Sequence, residues 1–180
     1  MDTGLIIIIA VIVVILIAII MMSNALNKAL VKIDEADSGI DVALTKRYDV
    51  LTKMIDTVKG YAKHEKETLF EVINLRKGMS MAEKNEANTK ISDQLGKLQI
   101  VAESYPELKS SENYKTLQQS ILDVEEHLQA ARRLYNANVS TFNQMIVTFP
   151  MSIIAGSKGL SKKEFFEAEE TKKQDVKIDL

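Results

Sequence analysis

His64 and His127 are the two histidines of this chain, and neither stands in the pattern that acid–base or metal chemistry needs. His64-Glu65-Lys66-Glu67-Thr68 begins like the zinc motif H-E-x-x-H but closes on threonine. Di-iron bundles pair a glutamate with a histidine three residues later; Tyr61 and Val124 occupy those places here. Without cysteine there is no thiolate ligand, disulfide or cysteine nucleophile. Gly156-Ser157-Lys158-Gly159 lacks the spacing of a phosphate-binding loop, and no G-x-S-x-G turn occurs. Glutamate pairs such as Glu125-Glu126 are the usual dressing of solvated helices. The reading is a non-enzyme with no catalytic residue, cofactor, metal or small-molecule substrate.

The more informative polar residues are those on or beside apolar stripes. Arg47 lies on one such stripe; Glu125, Arg132, Asn136 and Asn143 adjoin another. Two readings stay open. Their long side chains reach water from the bundle's edge, or they form a cross-helix polar network that fixes register.

The stripes define the elements. Leu26, Leu30, Ile33, Ile40, Leu44, Leu51, Met54, Val58, Tyr61 and Val72 recur at helical spacing, with no proline before residue 106. This predicts one long helix from the N-terminal region to about Leu75. Arg76 to Ser80 read as a turn. A second helix carries Ile91, Leu95, Leu98 and Ala102 and ends at Pro106. With Ser110 or Ser111 as N-cap, a third bears Tyr114, Leu117, Ile121, Val124, Leu128, Ala131, Tyr135, Phe142, Met145 and Phe149. Ser161 and Glu164 suggest a capping box that starts a short helix through Phe165 and Phe166. With no alternating runs of strand length, the fold class is all-α: an N-terminal transmembrane helix continuing into an elongated antiparallel bundle.

Residues 5–22, LIIIIAVIVVILIAIIMM, are 18 apolar residues without a charge. As a helix they rise about 27 Å, close to the roughly 30 Å of a bilayer's hydrocarbon core. The residues before them lack the basic charge of a signal peptide, and no A-x-A follows, so an uncleaved anchor is expected. All 23 Lys and Arg lie beyond this run, with 24 of the 25 Asp and Glu. The near-neutral remainder argues against a nucleic-acid partner. Lys28 and Lys32 bias the body towards the cytoplasm, with the N-terminus outside. The organisation expected is a short peptide 1–4, an anchor 5–22, a helical body 23–167 and a charged tail 168–180.

The chain resembles the LemA family of bacterial membrane proteins. The likeness starts in the N-terminal span and runs through Arg47-Tyr48-Asp49, Val58-Lys59-Gly60-Tyr61-Ala62-Lys63-His64-Glu65 and Tyr105-Pro106-Glu107-Leu108-Lys109. It continues in Arg132-Arg133-Leu134-Tyr135-Asn136, Val139, Phe142-Asn143, Phe149-Pro150, Ile153-Ile154-Ala155-Gly156 and Phe165-Phe166-Glu167. Two departures stand out: Phe142 replaces the second tyrosine of the family's Y-N-x-x-V-x-x-Y-N, and Leu51-Thr52-Lys53 lacks a proline common there. The resemblance implies a single-span protein of the bacterial cell membrane with a cytoplasmic helical body, and brings no catalytic residue.

The function expected is therefore a membrane-tethered scaffold or interaction protein, self-assembling as a homo-oligomer. The alternative is a binding module that sequesters one protein partner in envelope signalling or stress response. Phe149, Pro150, Ile153, Ile154, Phe165 and Phe166 form the candidate surface for self-association or a partner. If the second helix simply doubles back on a first helix reaching Leu75, this segment lies at the end remote from the bilayer. There it either caps the bundle or offers that surface; lipid contact is the third reading.

Overall fold

A computed structural model describes residues 3–61, 73 and 75–167. His64, Val72 and the tail 168–180 lie outside them. Five helices are present among the described residues: α1 (Thr3–Tyr61), α2 (Met81–Glu103), α3 (Pro106–Ser110), α4 (Glu112–Val147) and α5 (Met151–Ser157). The apolar run and the first stripe as far as Tyr61 share one uninterrupted helix, as the absence of proline predicts, but the expected extent to about Leu75 does not hold: Ile73 and Leu75 are not helical.

α2 is started by a capping box that the sequence reading passed over. The Ser80 hydroxyl accepts the Glu83 backbone N–H at 3.3 Å, and the Glu83 carboxylate accepts the Ser80 N–H at 2.7 Å. The Ser80 N–H and the Ser80 hydroxyl, which donates to the same carboxylate at 3.0 Å, together with Arg76 hold the Glu83 carboxyl below its usual value. Before the cap, Gly78 turns the chain at φ 80°, a left-handed conformation that favours glycine. Pro106 opens α3, a single turn not anticipated from sequence. For α4 the cap is Ser111, whose hydroxyl accepts the Tyr114 N–H at 3.3 Å.

The chain divides into two compact units, residues 1–37 with 134–164 and residues 38–133 with 165–180. In the second unit, Leu51, Met54, Val58, Ile91, Leu98, Leu108 and Tyr114 are among the core side chains. Here the direction of α2 corrects the sequence reading. Leu75, Arg76, Lys77 and Met79 line a pocket of about 250 Å³ with Asp41, Leu44 and Thr45, so α2 begins beside the middle of α1 and not at its C-terminal end. Lys84 meets Asp41, and Asn88 and Ser92 meet Arg47. Rising numbers on α1 face rising numbers on α2, and the two helices run in the same direction. α4 runs against both: Arg47 meets Glu125, while Met54 and Tyr114 line one groove.

In the first unit, the amide of Asn138 on α4 donates to the Lys32 carbonyl of α1 at 3.0 Å, and Lys158 donates to the Asn27 side chain at 2.9 Å. Numbers rise from Asn138 on α4 to Lys158 after α5 as they fall from Lys32 to Asn27 on α1, so the chain runs from α4 towards the apolar run. The segment after Pro150 therefore sits beside the start of the body, not at a remote end. The earlier expectation failed because it sent α2 back along α1, whereas α2 runs in the same direction as α1.

Residues 160–167 are not helical, against the capping box read at Ser161 and Glu164. Their backbone is bonded to side chains instead. Asn143 accepts the Lys163 N–H at 2.8 Å and donates to the Lys163 carbonyl at 2.9 Å, and the Tyr135 hydroxyl donates to the Glu164 carbonyl at 3.1 Å. Asn85 does the same further on, accepting the Glu167 N–H at 3.1 Å and donating to the Phe165 carbonyl at 3.4 Å.

Candidate functional site

Arg47 is 2% exposed, on the buried stripe of α1. A guanidinium so placed needs partners for its charge and its donors. Nη1 donates to the Asn88 carbonyl at 3.1 Å and to the Asn88 side chain. Nη2 donates to the Ser92 hydroxyl at 2.7 Å and pairs with the Glu125 carboxylate, which is a quarter exposed. Three helices meet at this one side chain. Six residues before it, Asp41 pairs at 2.7 Å with Lys84, an ammonium 1% exposed on α2.

Beside Arg47 a groove of about 480 Å³ is lined by Ser92, Tyr114, Gln118 and Glu125, and by the apolar Met54, Leu95, Ile121 and Leu122. Burial pushes the Tyr114 phenol up. This arrangement joins a buried cation of α1 to partners on both α2 and α4. Among the described residues no group of three or more histidine, cysteine or acidic side chains is placed to hold a metal ion.

Of the five polar residues singled out from sequence, Arg47 and Glu125 meet in this cluster. Arg132 is bonded to Gln129 of its own helix, and Asn143 serves the backbone at Lys163. Asn136 is half-buried on α4. Asn88, Ser92, Lys84 and Asp41 were missed. The signal for two of them existed: counting back from Ile91 by three and then four residues reaches Asn88 and Lys84. Both are polar residues on an apolar stripe, as Arg47 is.

The other candidate residues lie in both units, 149–154 in the first and 165–166 in the second. Phe149 is 77% exposed and Ile153 65%, with Pro150 and Phe165 exposed as well. Ile154 and Phe166 are buried within the chain. That corrects their place in the candidate surface: Ile154 is on the inward side of α5, and Phe166 is turned in where Asn85 grips the backbone on either side of it. In the first unit, burial and then the carboxylates of Asp37, Glu164 and Asp34 push the Tyr135 phenol up to about 12.

The first helix has the length and apolar composition to cross a membrane, and residues 3–21 are all exposed. Burial by the rest of the chain begins at Met22 and Ser23 and is complete at Leu26.

A family model described as LemA family matches residues 36–180. Protein LemA of Metamycoplasma hominis is 32% identical over 158 residues, covering 85% of this chain and 72% of that protein. Magnetosome protein MamQ of Magnetospirillum gryphiswaldense is 32% identical over 72 residues, 40% of this chain and 26% of its own length. Magnetosome protein MamQ 2 of Paramagnetospirillum magneticum is 34% identical over 73 residues, 41% of this chain and 27% of its own length. The chain thus spans about a quarter of the length of either magnetosome protein.

Proposed function

This chain belongs to the LemA family, and from that premise we propose that it is a membrane-tethered helical scaffold that self-assembles and holds other proteins at the bilayer. The observation that carries the reading is α1. Its first part is apolar and unburied by the chain, and the same helix continues unbroken into the packed body. A side chain in lipid needs no protein cover, and a helix satisfies its own backbone there. The anchor is plain: it has no charge for a transport path and no G-x-x-x-G pair for close helix packing. In this reading the interacting surfaces belong to the body. Lys28 and Lys32 favour a cytoplasmic body and an outer N-terminus. The reading assigns no reaction to the chain, and the magnetosome role in the MamQ names stays with those proteins.

A second reading, a module that sequesters one protein partner, is favoured by the groove beside Arg47, which is wide enough for side chains of another protein. Native mass of the gently extracted full-length protein separates the two. A defined homo-oligomer supports the scaffold. A monomer carrying one co-purifying protein supports the module and overturns self-assembly.

A further inference from the structure

The first unit holds exposed apolar side chains at an unexpected level along α1. Asn138 of α4 meets Lys32, and from there α4 continues to Val147 as helix, advancing about 14 Å antiparallel to α1. The same advance back along α1 from Lys32 reaches Ser23, where the apolar run has just ended. Burial along α1 stops at this level too: Met22 and Ser23 are half-covered, and residues 3–21 are bare. Just beyond Val147, itself exposed, come Phe149 and Ile153, each about two-thirds or more exposed. Lys158 is held at this height by its bond to Asn27, five residues past Met22. Lys163 is held nearby through Asn143, which lies five residues further along α4 than Asn138. Lys28 projects from α1 itself.

We propose that Phe149 and Ile153 enter the interfacial layer of the bilayer that residues 5–22 cross, while Lys28, Lys158 and Lys163 meet anionic lipid headgroups. The inference rests on the reading of residues 5–22 as a membrane span. Its physical basis is position. A mostly exposed phenylalanine and isoleucine beside the exit point of a span meet lipid before they meet another protein. Cations at headgroup height are attracted by the negative surface of an anionic leaflet. Apolar side chains below and basic ones above is the arrangement of interfacial helices. The consequence is a second, lateral contact with the membrane that fixes the tilt of this unit on its anchor.

The test uses the full chain, which has no cysteine, so a single introduced thiol carries a unique label. Ile153→Cys and, separately, Ile12→Cys are labelled with a fluorophore and reconstituted in vesicles of phosphatidylcholine and phosphatidylglycerol in equal parts. Quenching by lipids bearing nitroxide at the headgroup or deep in the acyl chain is compared with quenching by aqueous iodide. The Ile153 label should read a depth of about 5–10 Å, at the boundary of headgroup and acyl chain. The Ile12 label should lie deep in the hydrocarbon. With the phosphatidylglycerol replaced by phosphatidylcholine, the Ile153 label should move outward; an unchanged depth removes the lysines from the site. If Ile12 is deep and Ile153 is open to iodide, the lateral contact falls and the anchor stands. If Ile153 is shielded from both quenchers and energy transfer shows another copy beside it, the patch is a protein interface and the proposal falls. If Ile12 itself is open to iodide, the span falls and the lateral contact with it.

Discussion

Replacing Arg47 by methionine removes a guanidinium from the meeting point of three helices while keeping most of its buried stem. The Asn88 carbonyl and side chain and the Ser92 hydroxyl lose a donor, and the Glu125 carboxylate loses its cation. Breaking a buried pair from one side costs about 3–5 kcal/mol, because the remaining charge is left without compensation. Glu125 keeps a quarter of its side chain in water. Methionine fills the space of the stem, so the lower end applies, about 3 kcal/mol. For a chain of this size that lowers the thermal midpoint by about 6–12 °C. The assay is loss of helical circular dichroism on heating the full chain in mild detergent. Adding Glu125→Leu to Arg47→Met removes the orphaned carboxylate and should recover most of the loss, since replacing both ions by apolar groups is close to neutral. A single variant that melts within 1 °C of the parent, or a double variant less stable than the single, refutes the argument that the pair is a buried, mutually dependent unit.

Arg132→Met should change stability by no more than about 0.5 kcal/mol, since its described bond is to Gln129 of the same helix; the same melt checks it. Asn143→Ala removes two bonds to the Lys163 backbone at roughly 0.5–1.5 kcal/mol each, and trypsin should then cut after Lys162 and Lys163 faster than in the parent. Phe142 is fully buried, so Phe142→Ala should cost about 3–5 kcal/mol in denaturant unfolding. Tyr135 is neutral in the folded chain up to about 12, whereas an unfolded tyrosine ionises near 10. Its contribution is level below pH 10 and is lost as pH rises towards 12, because the unfolded state releases its proton first. Spectroscopic titration of the phenols should show the highest transition disappear in Tyr135→Phe.

Much of the fold was legible because helical periodicity is written in one dimension. Leu26, Ile33, Ile40, Leu44, Leu51, Met54 and Val58 occupy the stripe read for them, and all are buried. α2 and α4 start one residue after Ser80 and Ser111 and end three residues before Pro106 and Pro150, for reasons of capping and proline geometry. Helix direction was not legible. Periodicity is the same for a helix running up or down, and nothing in it tells that Leu75 to Met79 lie beside Asp41 and Thr45 where α2 begins. That single choice moved Phe149 and Ile153 from a remote end to the level of Ser23. Arg47 announced itself by standing on an apolar stripe; its partner Asn88 stood on one too. The backbone grips by Asn85 and Asn143 carry no sequence pattern, since each joins residues 20 or more positions apart.

The central claim is that one helix leaves the bilayer and becomes the body's packing helix without a break. Single spin labels placed in turn at residues 10–40 of the reconstituted chain, read for collision with oxygen and with a water-soluble reagent, test it directly. The account predicts uniform oxygen access and exclusion of the water-soluble reagent as far as Met21. From Leu26 onward it predicts low access to both reagents recurring at a helical period of about 3.6 residues, with minima at Leu26, Ile33, Ala36 and Ile40. Free access of the water-soluble reagent across residues 10–21, or loss of the helical period between Met22 and Leu26, would contradict it.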